Sequence, residues 1–179
     1  MVSKDYQDAG RAVFMESGKK RLIESVPILI GSIILCNMAG LLGALVTGTG
    51  PGSWYDMLVK PSFNPPSWVF GPAWTLLYIL MGISLYLVLM EWRKGTEVRI
   101  ALILFGIQLA LNALWSFLFF GLQSPAAGLA GILVLWAFIV ATIVAFFRVS
   151  RPASLLLLPY LAWVSFASLL NYAIFILNP

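Results

Sequence analysis

Charged side chains are missing from four long stretches of this chain: Val26 to Tyr55, Pro61 to Met90, Ile100 to Phe147, and Pro152 to Pro179. A charge at the centre of a bilayer is expensive, and a helix needs about 20 apolar residues to cross one. The four windows have room for one, one, two and one crossings. Five spans are expected, at roughly 26–46, 67–90, 99–120, 125–147 and 154–177. The long third window divides at Gly121-Leu122-Gln123-Ser124-Pro125, a short polar turn that ends in a helix-starting proline. Composition agrees: 61% of residues are hydrophobic and 10% charged, against about 25% charged in a soluble domain. No amphipathic helices remain to cover so apolar a core in water. The expected fold class is an all-α integral membrane protein, a five-transmembrane-helix bundle over residues 26–179. A polar, basic extension over residues 1–25 precedes it, either interfacial or disordered.

The basic residues orient the bundle. Lys4, Arg11, Lys19, Lys20 and Arg21 precede the first span, Arg93, Lys94 and Arg99 follow the second, and Arg148 and Arg151 follow the fourth. Five crossings put these three regions on one side, which then holds ten of the eleven basic residues, with Lys60 alone opposite. The positive-inside rule predicts a cytoplasmic N-terminus and an external C-terminus. A bacterial inner membrane is favoured over an organelle membrane. The pI near 9.4 reflects this segregation, and no nucleic-acid partner is expected, because no basic run is interleaved with a recognition motif.

Much chemistry is excluded. Histidine is absent, which removes histidine triads, histidine metal sites and imidazole proton shuttles. No acidic or basic residue lies inside an expected span, unlike an ion-coupled pump. Phosphate-binding and dinucleotide-binding loops are missing too. No metal and no cofactor are expected. Any ligand must be held by aromatic faces, small apolar gaps and a few neutral hydrogen-bonding groups. Cys36 is the one cysteine, so no disulfide forms within the chain.

Those groups concentrate in three spans. In the second, Asn64 or Ser67 can cap the helix, and Pro65 and Pro66 suit its first turn. Pro72 cannot donate to the Trp68 carbonyl, so a bend is expected beside that indole. Trp68 and Trp74 fit either an interfacial belt or a pocket wall. In the third span, Gln108, Asn112, Trp115 and Phe119 recur on one helical face. An amide facing lipid would be unsatisfied, so Gln108 and Asn112 should point inward, as interhelical glue or as donors to a ligand. In the fifth, Tyr160, Trp163, Ala167 and Leu170 share a broad face, with Asn171 at its edge, and Pro159 predicts a second bend. Core packing explains such a stripe equally well. Asn37 should also face inward. Gly40 with Ala44, Gly106 with Ala110, and Ala127 with Gly131 are small pairs that permit close helix approach.

Three motifs carry a resemblance: "WYDMLVKPSFNPPSWVFGPAWTLLYILMGIS" at 54–84, "QLALNALWSFLFFG" at 108–121 and "LLPYLAWVSFASLLNY" at 157–172. The chain resembles the translocator protein family, also called tryptophan-rich sensory proteins or peripheral-type benzodiazepine receptors. The resemblance implies a five-helix bundle, often a homodimer, with an internal pocket under the loop between spans one and two. It implies binding of porphyrins such as protoporphyrin IX, and of isoquinoline carboxamide and benzodiazepine ligands. Position by position it implies a ligand-binding set of Trp68, Asn112, Trp115, Trp163, Ala167 and Leu170. Two departures stand out. Tyr172 is present, but Ile176 holds the place where the family's sterol motif has a basic residue, which tells against sterol binding there. Ala127 replaces an aromatic often found near the start of span four.

The leading expectation is a membrane receptor, sensor or transporter for porphyrin-like tetrapyrroles. Lys60, at the mouth, is placed to meet a ligand carboxylate or a lipid phosphate. One alternative is a light-dependent enzyme that degrades protoporphyrin, with Trp68 and Trp163 as catalytic electron-transfer residues. The sequence offers no acid or base for ordinary turnover. Another is a membrane adaptor that acts through the extension.

Overall fold

The computed structural model describes residues 25–179; the extension over residues 1–24 lies outside the described residues. Helices make up nearly all of the remainder. They are α1 (Ser25–Ala44), a short α2 (Trp54–Met57), α3 (Ser67–Leu89), α4 (Thr96–Ser116), α5 (Pro125–Val149), α6 (Arg151–Leu156) and α7 (Leu158–Leu177). A 3₁₀ turn at Trp92–Lys94 joins α3 to α4, and a π turn at Phe117–Gly121 extends α4. Among the described residues, five helices are long and apolar enough to cross a membrane: α1, α3, α4 with its π turn, α5, and α6 with α7. The protein is a multi-pass integral membrane protein, and the expected spans match these to within a few residues.

The breaks have local causes. Ser124 Oγ accepts from the Ala127 amide at 3.2 Å, and Pro125 occupies the first turn of α5, so the polar turn caps that helix as expected. Gln123 adopts φ 51° to make the reversal. The last crossing is interrupted at Leu157, two residues before Pro159, which lacks the donor that would continue the ladder. α3 differs from expectation at its start. It begins at Ser67, with Pro65 and Pro66 ahead of it, and Asn64 does not cap it. Asn64 instead accepts from Tyr55 Oη and donates to the Pro65 carbonyl. α3 then runs unbroken through Pro72.

Packing depends on rings and missing side chains. Phe105 of α4 stacks on Phe146 of α5 with centroids 5.6 Å apart. Ser84 of α3 donates to the Ala153 carbonyl of α6 at 2.7 Å, and Lys94 donates to the Val149 carbonyl. α1 approaches α3 at two glycines. A Cβ on Gly82 would fall 2.5 Å from the Ile33 Cα, and one on Gly40 would enter the Tyr78 ring. Of the three expected small pairs, Gly40 and Gly131 make close approaches, whereas Gly106 and Ala110 face outward. The tightest contact on α5 is at Gly128, where an added Cβ would lie 2.6 Å from Phe119 and 2.9 Å from Asn171.

Candidate functional site

A cavity of about 770 Å³ lies between the upper halves of α1, α3, α4 and α7, beneath the loop that carries α2. That volume falls in the range of about 300–1,000 Å³ usual for small-molecule sites. Its walls are largely aromatic. Trp74 stacks on Tyr78 (5.5 Å, 26°) and meets Tyr160 edge-on. Phe70 meets Trp163 edge-on at 6.1 Å. Trp115 stacks on Phe119 (5.5 Å, 24°). Ala167 and Leu170, both buried on α7, complete the wall between Trp163 and Asn171.

The floor is polar but internally satisfied. Asn112, 3% exposed, accepts from Tyr78 Oη and donates from Nδ2 to Tyr160 Oη at 3.0 Å. An amide keeps one further N–H and one further lone pair when each end has made one bond. Asn171 works as a strut: it accepts from Trp115 Nε1 at 3.4 Å and donates to the Pro125 carbonyl at 2.9 Å. Trp163 differs. Its indole N–H is buried and has no partner among the described residues, a costly state unless an acceptor is supplied.

The roof is fastened from several directions. Ser53 caps α2 by accepting from the Asp56 amide. Tyr55, buried against Phe119 and Phe120, donates to Asn64 Oδ1 at 2.7 Å. Burial pushes its phenol above the ordinary range, and the Asn64 bond opposes this in part. Asn178 clamps the loop to the end of α7. Its Oδ1 accepts from the Val59 amide at 2.9 Å, and its Nδ2 donates to the Val59 carbonyl at 3.0 Å.

The structure brings together most of the residues expected from the sequence. Asn37, Asn112, Trp115, Trp163, Ala167 and Leu170 all line the cavity. Trp68 lines it from the rim, with 74% of its surface exposed. Lys60 is not among the lining residues. Its Nζ donates to the carbonyls of Asp56 and Leu58 and sits 5.0 Å from the Tyr55 ring centre. Gln108 is buried one turn from Asn112 but outside the lining, and neither amide atom has a partner.

Sequence reasoning left Trp74 open between belt and wall, and missed Phe70, Tyr78 and Tyr55 as wall and roof. Trp74 and Tyr78 stand one turn apart, and Tyr78 shares α3 with the gap at Gly82, so a signal existed on that helix. Nothing local marks Tyr55, whose burial depends on how the loop folds back.

The TspO/MBR family model matches residues 32–177. The chain is similar to a tryptophan-rich protein TspO of Chlorobaculum tepidum, 57% identical over 146 residues, covering 81% of this chain and 92% of that protein. It is 49% identical over 152 residues to one from Archaeoglobus fulgidus, covering 84% and 96%. A translocator protein of Bos taurus is 39% identical over 147 residues, covering 80% and 85%.

Proposed function

Because this chain belongs to the TspO/MBR family of membrane proteins, we propose that its cavity binds a flat, mostly apolar tetrapyrrole of the protoporphyrin type. Isoquinoline and benzodiazepine-like rings fit the same walls. One observation carries the reading: Phe70, Trp74, Trp115 and Trp163 surround a space whose polar groups are all neutral. Aromatic walls suit a planar guest, since offset and edge-on ring contacts contribute about 0.5–1.5 kcal/mol each beyond area burial.

Residue roles follow from position. Trp163 offers its unpartnered N–H to an acceptor on the guest. Asn112 offers its remaining N–H from the floor. Trp115, Ala167 and Leu170 shape the wall, with Ala167 as the gap for a ring edge, and Trp68 covers the rim. Lys60 meets a ligand carboxylate only by leaving the Asp56 and Leu58 carbonyls. With no histidine in the chain, a metal-free porphyrin is preferred over haem. Binding without in-chain chemistry fits a sensor or carrier.

Titrating protoporphyrin IX into the purified protein and following tryptophan quenching tests this. Trp163→Ala and Asn112→Ala should each weaken binding by about tenfold or more. Unchanged affinity in both variants, or no quenching in the wild type, would sink the reading.

A further inference from the structure

The cavity is not walled evenly. Every exposed residue that lines it belongs to α1, to the loop just after α1, or to the first turns of α3. None of the lining residues on α4, its π turn or α7 is exposed. Ile34, Met38 and Leu41 are spaced four and three residues apart, and so stand on one side of α1. Trp68, Gly71 and Thr75 stand likewise on one side of α3. Ile34 and Leu41 are each 56% exposed. Ile34, Met38 and Leu41 lie within a helix that spans the membrane, so what they expose faces hydrocarbon rather than water.

The polar groups at the slit are arranged for that surrounding. Thr75 Oγ1 donates to the Gly71 carbonyl at 2.9 Å and Asn37 Nδ2 to the Ile33 carbonyl at 2.9 Å. The Thr75 hydroxyl so uses its one proton, and Asn37 one of its two amide N–H groups, within its own helix rather than toward lipid, where an unmade bond costs free energy. The roof is fastened by contrast. The Asn178 bracket, the Tyr55–Asn64 bond and the Ser67 Oγ bond to the Thr49 carbonyl (3.4 Å) all hold the roof down. Gly71 lines the cavity on this exposed side, and an added Cβ there would meet nothing within 4 Å.

We propose that the cavity opens sideways into the bilayer between α1 and α3, and that its guest arrives dissolved in lipid through this slit rather than through the roof. The proposal rests on the binding reading above and adds the route. It puts Gly71 beside the passage, where a side chain larger than the space a Cβ finds would narrow it.

The test uses the full chain in liposomes and stopped-flow quenching by protoporphyrin IX. In Gly71→Phe and Gly71→Leu, association should slow by about tenfold, with dissociation slowed as well. Asn178→Ala, which loosens the roof, should leave both rates as in the wild type. Gly106→Phe, on the outward face of α4 where an added Cβ also meets nothing, serves as the bulk control. Faster association in Asn178→Ala, with wild-type rates in both Gly71 variants, would overturn the route while leaving binding intact. A ligand-free arm separates the two ideas. Lipids brominated on their acyl chains should quench a component of tryptophan emission that Trp68→Phe removes. Quenching equal in the wild type and Trp68→Phe would show the slit closed to lipid, whether or not porphyrin binds.

Discussion

Gln108 shows how little a single residue type says about its role. A buried amide on a membrane helix is expected to bond across the bundle, yet both of its polar atoms lack a partner at 1% exposure. Leaving a buried donor and acceptor unmade costs about 1–3 kcal/mol, and an apolar group of similar shape removes that cost. Gln108→Leu should therefore raise the melting temperature in detergent by a few degrees and leave porphyrin affinity unchanged. A drop in melting temperature would show that the amide has a partner. Tyr55 gives a second test. Its neutral phenol is favoured by burial, so its ionisation lies above the ordinary value of 10.0. A raised value means that the stabilisation is complete below pH 10 and is lost as pH rises through the folded-state value. The phenolate absorbance that disappears in Tyr55→Phe should titrate above 10.0, and the roof should loosen over the same range. A residue titrating at or below 10.0 would remove this account.

At the scale of elements, the helix ends were legible because they depend on local chemistry. Ser124 with Pro125 stops one helix and starts the next within a few residues of sequence, whereas the glycine turn at Gly95 (φ 63°) was not marked and α4 begins three residues earlier than expected. The π turn at Phe117–Gly121 was not legible. Its extra residue per turn brings Phe119 and Phe120 together, with centroids 4.8 Å apart, under Tyr55. Several apolar residues in a row carry no mark of whether their ladder closes at four or five. The packing of α1 was half legible. Gly40 was flagged by spacing, but Gly82, which meets the backbone of Ile33, was not. Gly82→Val should push α1 away from α3 and destabilise the fold by about 1–3 kcal/mol, the usual cost of overpacking. Thermal unfolding in detergent measures it. Gly106→Val, facing outward, should have little effect, and equal losses in the two would refute the asymmetry.

For the whole molecule, the absence of charge over four windows determined the bundle. A chain that cannot place ions in water must satisfy its backbone inside helices, and hydrocarbon thickness fixes their length. Amide and indole spacing likewise put Asn112 and Trp115 on one face of span three and Trp163, Ala167 and Leu170 on one face of span five, and the family resemblance implied that the two faces share a space. Those residues sit in the middle of long helices, whose periodicity sets their direction. The tertiary structure alone decided three things: that Tyr78 and Tyr160 clasp Asn112 from two other helices, that Asn178 pins the roof across 119 positions of sequence, and that Trp68 stands at an open rim. Each depends on which helix lies beside which and at what separation. Within the membrane that choice is made by close packing and by cross-helix hydrogen bonds, and no local pattern encodes it.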